Sequence, residues 1–105
     1  YTAVKLEGLP GIEGLTMLVL SHVHVHLGDV GEWSRCFQEG RKLIEETGFF
    51  DVDVARTTQL GGEALLERNW TSEARISLEF SRDHWRSIER DEKADAISEL
   101  LASIE

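Results

Sequence analysis

The sequence predicts a single α+β domain, and three stretches of the chain indicate this class. Residues 15–27 alternate between apolar odd positions and even positions that include three histidines, a pattern typical of a β-strand. Residues 30–44 carry apolar side chains at helical spacing, and residues 50–54 alternate again. A chain of 105 residues with 41% apolar content is long enough for one modest core and too short for two independent ones.

The first half of the chain is predicted to form two strands and a helix. Residues 2–6 alternate weakly and predict a short strand before a loop rich in glycine, and the strand at 15–27 follows. Asp29 has the character of a helix N-cap, Glu32 can complete a capping box with it, and Gly48 provides a C-terminal stop. We therefore expect a helix between Asp29 and Gly48.

The second half is predicted to form two more strands and a terminal helix. Residues 50–54 and 63–70 predict strands, with a Gly-Gly turn between them. Residues 72–80 fit a strand and a helix equally well, because their apolar side chains satisfy both periods. An apolar stripe over residues 94–104 predicts a helix that begins near Asp91.

Composition argues against several classes of partner. The formal charge of −9, from 20 acidic and 11 basic residues, repels nucleic acid phosphates and anionic lipid surfaces. The single cysteine, Cys36, allows no intramolecular disulfide, and its place on an apolar stripe predicts a packing role. No stretch has the length of a membrane span. We expect a cytoplasmic protein that binds neither nucleic acid nor membranes.

Several short motifs follow one another in a recognisable order: residues 23–29, residues 46–49, Trp70, Ser72-Glu73 and His84-Trp85. In this order and spacing, residues 17–90 resemble the antibiotic biosynthesis monooxygenase-like family of dimeric α+β barrels. The resemblance implies a ferredoxin-like antiparallel sheet with helices on one face, and a homodimer in which two sheets pack face to face. It also implies that the segment at 72–80 is a helix.

The last strand of that family has no counterpart after the second helical region of this chain. We expect residues 2–7 to take its place in the sheet. Residues 1–16 would then be an extension or an extra strand, and residues 91–105 a terminal helix of the same domain, which spans residues 1–105.

The resemblance further implies a pocket between sheet and helices, whose aromatic walls suit a flat apolar ligand. Its expected lining is Val19, Ser21, Val23, Trp33, Phe37, Phe80, His84 and Trp85, with Asn69 as the nearest amide. His84 is the first candidate for acid–base catalysis near neutral pH. The residues of the family's haem-degrading members are not matched, because their positions fall near Ser21, Glu79 and Glu89. We expect no cofactor.

The histidine row is a second place for chemistry. On a strand, His22, His24 and His26 would share one face and point toward the subunit contact. There they would fill the interface, or the pair of His22 and His24 would act on the substrate. Two neighbouring histidines with a carboxylate such as Asp53 or Glu67 would also suit a metal ion, although we expect no metal.

The sequence thus predicts an enzyme that resembles cofactor-free monooxygenases or isomerases and acts on an aromatic or polyketide-like molecule. One alternative is a non-catalytic ligand-binding or assembly module. A second alternative is a metal-binding protein that uses His22, His24 and His26.

Overall fold

The computed structural model describes residues 9–104, and this part of the chain is entirely helical. It forms five α-helices: α1 Pro10–His26, α2 Val30–Thr47, α3 Val52–Glu67, α4 Thr71–Ser87 and α5 Asp91–Ala102. Residues 9–104 contain no β-strand. The predictions of an α+β class, a ferredoxin-like sheet and a dimeric barrel are therefore wrong, and so is the resemblance to the monooxygenase-like family. The strand predicted over residues 2–7 lies outside the described residues.

Helix α1 replaces the predicted strand at 15–27. Its buried positions, 11, 14, 17, 18, 21 and 25, repeat every three or four residues, which is helical periodicity. The alternation at 15–27 does not distinguish a strand from a helix. Apart from its histidines the stretch is almost wholly aliphatic, so its apolar residues fit the spacing of both structures. Pro10 begins the helix, where its missing N–H costs nothing, and Gly28 with φ 77° follows its end.

Helix α2 confirms the prediction of a capped helix. The Asp29 carboxylate accepts a hydrogen bond from the backbone N–H of Glu32 at 3.0 Å. At the other end, Gly48 adopts φ 65° and its N–H donates to the carbonyl of Ile44. The capping box is not reciprocal, since the Glu32 carboxylate pairs with Arg35 and the Asp29 N–H donates to the carbonyl of His24.

Helix α3 replaces the two strands predicted at 50–54 and 63–70. Asp51 caps it by accepting from the N–H of Asp53, and the pair Gly61-Gly62 lies inside the helix rather than in a turn. Helix α4 contains residues 72–80, as the helical alternative predicted. Helix α5 confirms the predicted terminal helix, with Ala94, Ile97 and Leu101 buried.

Residues 9–104 divide into two compact units, one up to Phe49 and the other from Phe50 onward. In the first unit, α1 packs on α2. Two glycines permit close contact between these helices, because a Cβ atom on Gly40 would lie 2.9 Å from the carbonyl oxygen of Gly14. Met17 and Leu18 from α1 and Trp33, Phe37 and Ile44 from α2 form the buried part of this unit.

In the second unit, α4 packs on both α3 and α5. The core of this unit consists of Ala55, Leu78, Trp85, Ala94, Ile97 and Leu101. Two buried serines of α4 donate to backbone carbonyls of α3, Ser77 to Thr58 and Ser81 to Ala55, both at 2.7 Å. These bonds satisfy polar groups that would otherwise be costly to bury.

None of the helices within residues 9–104 has both the length and the apolar character that crossing a membrane requires.

Candidate functional site

The helical conformation separates the three histidines that a strand would have aligned. Each residue turns a helix by about 100°, so side chains four apart share a face while those two apart point to different sides. His22 and His26 accordingly meet, with their Nε2 atoms 3.0 Å apart and their ring centroids 4.8 Å apart. His24 lies on another side of α1, and the predicted row of three imidazoles on one face is wrong.

The contact between His22 and His26 requires that one ring donate an N–H and the other accept it. Burial lowers the pKa of His22, and the charge of His26 lowers it further. Both effects favour a neutral ring at His22, which is the form that can accept a hydrogen bond or a metal ion.

His24 belongs to a different cluster, which also contains Glu32 and Cys36. A ring nitrogen of His24, a carboxylate oxygen of Glu32 and the sulfur of Cys36 all lie within 4.8 Å of one another. Glu32 and Cys36 are four residues apart on α2 and share one face of that helix. The short connection through Gly28 turns the chain back, and His24 near the end of α1 thereby reaches the start of α2.

The surroundings of this cluster are partly buried and partly charged. The Nδ1 atom of His24 is buried and makes no hydrogen bond within residues 9–104. The Arg35 guanidinium lies beside the cluster, 2.7 Å from the Glu32 carboxylate and 3.6 Å from the Cys36 sulfur. Burial raises the pKa of the Cys36 thiol, and Arg35 offsets part of that increase.

His84 is the best-defined titratable group of the second unit. It is only 4% exposed, and its Nε2 accepts a hydrogen bond from the backbone N–H of Asp51 at 3.0 Å. The rings of Phe50 and Phe80 lie 5.4 Å and 5.7 Å from its centroid. Burial lowers the pKa of His84, and the Asp51 carboxylate raises it in part. The geometry gives His84 a clear structural role, since it satisfies a backbone donor next to the cap of α3.

The residues predicted to line one pocket are distributed over both compact units. In the first unit, the rings of Trp33 and Phe37 stack at 5.1 Å, and the Ser21 hydroxyl donates to the carbonyl of Leu18. In the second unit, the indole N–H of Trp85 donates to Gln59. Asn69 is exposed in the turn between α3 and α4, where its φ is 63°.

Two surface depressions in residues 9–104 are lined by none of the predicted site residues. One, of about 290 Å³, lies in the first unit beside the start of α1 and the end of α2, lined by residues 9–12 and 47–49. The other, of about 360 Å³, is lined by polar and charged side chains of α2 alone. The first depression is mainly apolar and includes the ring of Phe49, and no titratable side chain lines it.

Sequence reasoning missed Glu32 and Cys36 as partners of His24. The sequence predicts a packing role for Cys36 and half of a capping box for Glu32. Their spacing of four residues on a predicted helix was visible, but the placement of His24 beside them depends on α1 being a helix that runs back against α2.

Helix α1 also presents an apolar face on the side away from its buried positions. Val19, Val23 and Leu27 follow one another at intervals of four residues, and they are 44%, 45% and 70% exposed. We refer to these three residues as the outer stripe of α1.

Comparisons with models of protein families, with curated proteins and with solved structures gave no match to this chain.

Proposed function

We propose that this protein is a helical module that binds a partner helix through the outer stripe of α1. The proposal takes up the assembly alternative from the sequence. The observation that carries it is the exposure of Val19, Val23 and Leu27 along one face of a single helix. Isolated exposed aliphatic residues are ordinary, whereas a continuous stripe of them on one helix is typical of a binding surface.

The composition of α1 supports the same conclusion. Apart from its histidines, the helix carries one charged residue, Glu13, among 17 residues. One face is buried against α2, and the opposite face is aliphatic as well. The outer face of a helix at a permanent protein surface normally carries mainly polar residues, so an aliphatic stripe on that face favours a covered surface.

The charge of the chain favours a basic partner. A second copy would carry the same formal charge of −9 and would be repelled, while a cationic helix would be attracted. The partner that fits is therefore an amphipathic helix with an aliphatic stripe and Lys or Arg on its flanks. Its aliphatic face would pack on Val19, Val23 and Leu27.

The enzymatic function expected from the sequence has lost its support, because the barrel that defined its pocket is absent from residues 9–104. Catalysis by His84, His22 or His24 stays a prediction without a matching substrate site. Partner binding by α1 requires none of these residues.

The test uses two synthetic helices of about 18 residues, or five turns, with the same leucine stripe and either Lys or Glu on the flanks. The protein is expected to bind the basic peptide and not the acidic one, as measured by fluorescence anisotropy. The variant Val23→Gln should weaken binding about tenfold, because it removes about 1.5 kcal/mol of apolar burial.

A matched control is Leu60→Gln, which changes a leucine of similar exposure in the second unit. It should leave binding unchanged. The proposal is overturned if neither peptide binds, if Leu60→Gln weakens binding as much as Val23→Gln, or if the acidic peptide binds equally well. Sedimentation that shows a dimer dissociated by Val23→Gln would also overturn it, since the occupant of the stripe would then be a second copy.

A further inference from the structure

We propose that His24, Glu32 and Cys36 bind a divalent transition metal ion, with zinc the best match to the donor set. Nitrogen, carboxylate oxygen and thiolate sulfur are the three ligand types that zinc takes in proteins. The three donor atoms already lie within 4.8 Å of one another. The site lies on a different side of α1 from the outer stripe, so it does not depend on partner binding.

The three donor atoms would have to move only a short distance to bind one ion together. Around one zinc ion with ligand bonds of about 2.0–2.3 Å, the donor atoms stand about 3.5 Å apart. The present separations are at most 4.8 Å, so the donor atoms need to approach one another by little more than about 1 Å, a distance within the reach of side-chain rotation. His24 and Glu32 are partly exposed, so an ion has access from solvent, while the buried Cys36 forms the base of the site.

The unsatisfied ring atom of His24 is a second observation that points to a ligand. Buried polar atoms are nearly always hydrogen-bonded, and the free energy cost of leaving one without a partner is about 1–3 kcal/mol. The Nδ1 atom of His24 is buried without a partner in residues 9–104. An ion at this place offers the ring of His24 the polar partner that the protein does not provide.

Arg35 is the charged neighbour that a bound ion would displace. Its guanidinium contacts both Glu32 and Cys36, yet its side chain is 59% exposed and projects from the helix. When the ion binds, Arg35 moves away from the carboxylate and the sulfur. Cys36 binds as the thiolate, so one proton passes from its thiol to solvent for each ion bound.

Three protein ligands leave the fourth tetrahedral position of the ion for water or for a group from another molecule. The proposed site is therefore an open one, in which the ion can also bind water or another molecule.

Cobalt(II) reports on this site directly, because it occupies zinc sites and a thiolate ligand gives it a charge-transfer absorption in the near ultraviolet. The experiment uses the reduced, metal-free protein without a histidine tag. One equivalent of cobalt is expected to produce the thiolate absorption, and zinc should displace it. Cys36→Ala should abolish the absorption, and Glu32→Gln should weaken binding by about 100-fold.

His22→Gln is the matched control, since it disrupts the neighbouring pair of His22 and His26 and leaves the three ligands intact. It should not change the cobalt spectrum or the affinity. Circular dichroism verifies that each variant is folded, and the exposed Glu32→Gln variant keeps the test valid if Cys36→Ala unfolds. The proposal is overturned if no thiolate absorption forms, if the absorption survives Cys36→Ala, if Glu32→Gln leaves the affinity unchanged, or if His22→Gln abolishes binding.

Discussion

The buried side chain of His84 contributes to the fold through one hydrogen bond. Its Nε2 accepts from the N–H of Asp51, 33 positions earlier in the chain, so this single contact ties α4 to the entry of α3. Only the neutral ring can accept this bond at Nε2. The burial that lowers the pKa of His84 therefore maintains the form that makes the contact.

Stability is expected to fall as the pH is lowered through the range in which His84 titrates. In the unfolded chain its pKa is about 6.5, and in the fold it is lower, so the unfolded chain takes up the proton first. The stabilisation that depends on neutral His84 is fully present above about pH 6.5. It is lost as the pH falls toward the lower pKa that His84 has in the folded protein. His84→Gln keeps an acceptor but does not titrate, so it should lose less stability between about pH 7.5 and 5.5 than the original protein. Urea unfolding at both pH values measures this, and an identical loss in the variant would refute the assignment.

The adjacent glycines of α3 provide a matched pair of substitutions. A Cβ atom on Gly62 would lie 2.6 Å from the side chain of Leu78, which is fully buried, whereas one on Gly61 would meet only Ser77 at 3.8 Å. Gly61→Ala should stabilise the protein by up to about 1 kcal/mol through helix propensity. Gly62→Ala should destabilise it by about 1–2 kcal/mol, because overpacking outweighs that gain. Chemical denaturation of both variants gives the two values, and equal signs would contradict the packing described here.

At the scale of elements, the ends of α2 are its most clearly defined features. Removing the side chain that caps its first turn, with Asp29→Ala, should cost about 1 kcal/mol of stability. Asp29→Asn should retain most of the stability, since asparagine caps about as well as aspartate. The comparison is made by urea unfolding, together with amide hydrogen exchange in the first turn of α2. Faster exchange in Asp29→Asn as well as in Asp29→Ala would argue against a capping role.

The helices that could be predicted from the sequence have either residues that mark their ends or a regular apolar stripe. Helix α2 has Asp29 and Gly48 at its two ends, and α5 has a regular apolar stripe. Helix α3 has a cap at Asp51 but no glycine at its C-terminal end, and it contains β-branched residues and two adjacent glycines, which disfavour a helix locally. Tertiary packing overrides these preferences, since Gly62 makes room for Leu78.

The candidate sites could be predicted only in part, for a related reason. His24 was identified as a candidate, but its partners Glu32 and Cys36 come from another helix. The outer stripe consists of ordinary aliphatic residues, and whether they are core or surface depends on where α2 packs. Contacts of this kind arise from the arrangement of helices rather than from the spacing within any one of them.

At the scale of the whole molecule, charge and hydrophobicity are unevenly distributed. The ion pairs within residues 9–104 are largely exposed, and most join residues three or four apart on one helix, so each contributes little to stability. Helix α1 differs from α2 in having almost no charge. Exposed hydrophobic residues occur elsewhere as well, for example at Phe50 and Leu60, but the outer stripe places three of them in a row along a helix with almost no charge.

Both proposals depend on residues 15–27 being a helix. Only a helix separates His24 from the pair of His22 and His26, and only a helix turns the outer stripe away from the buried Met17 and Val25. The most direct measurement is the set of backbone ¹³Cα chemical shifts of these residues in solution. Consecutive downfield shifts from random-coil values through this segment are the expected result. Consecutive upfield shifts would identify a strand, return the three histidines to one face, and contradict both the metal site and the outer stripe.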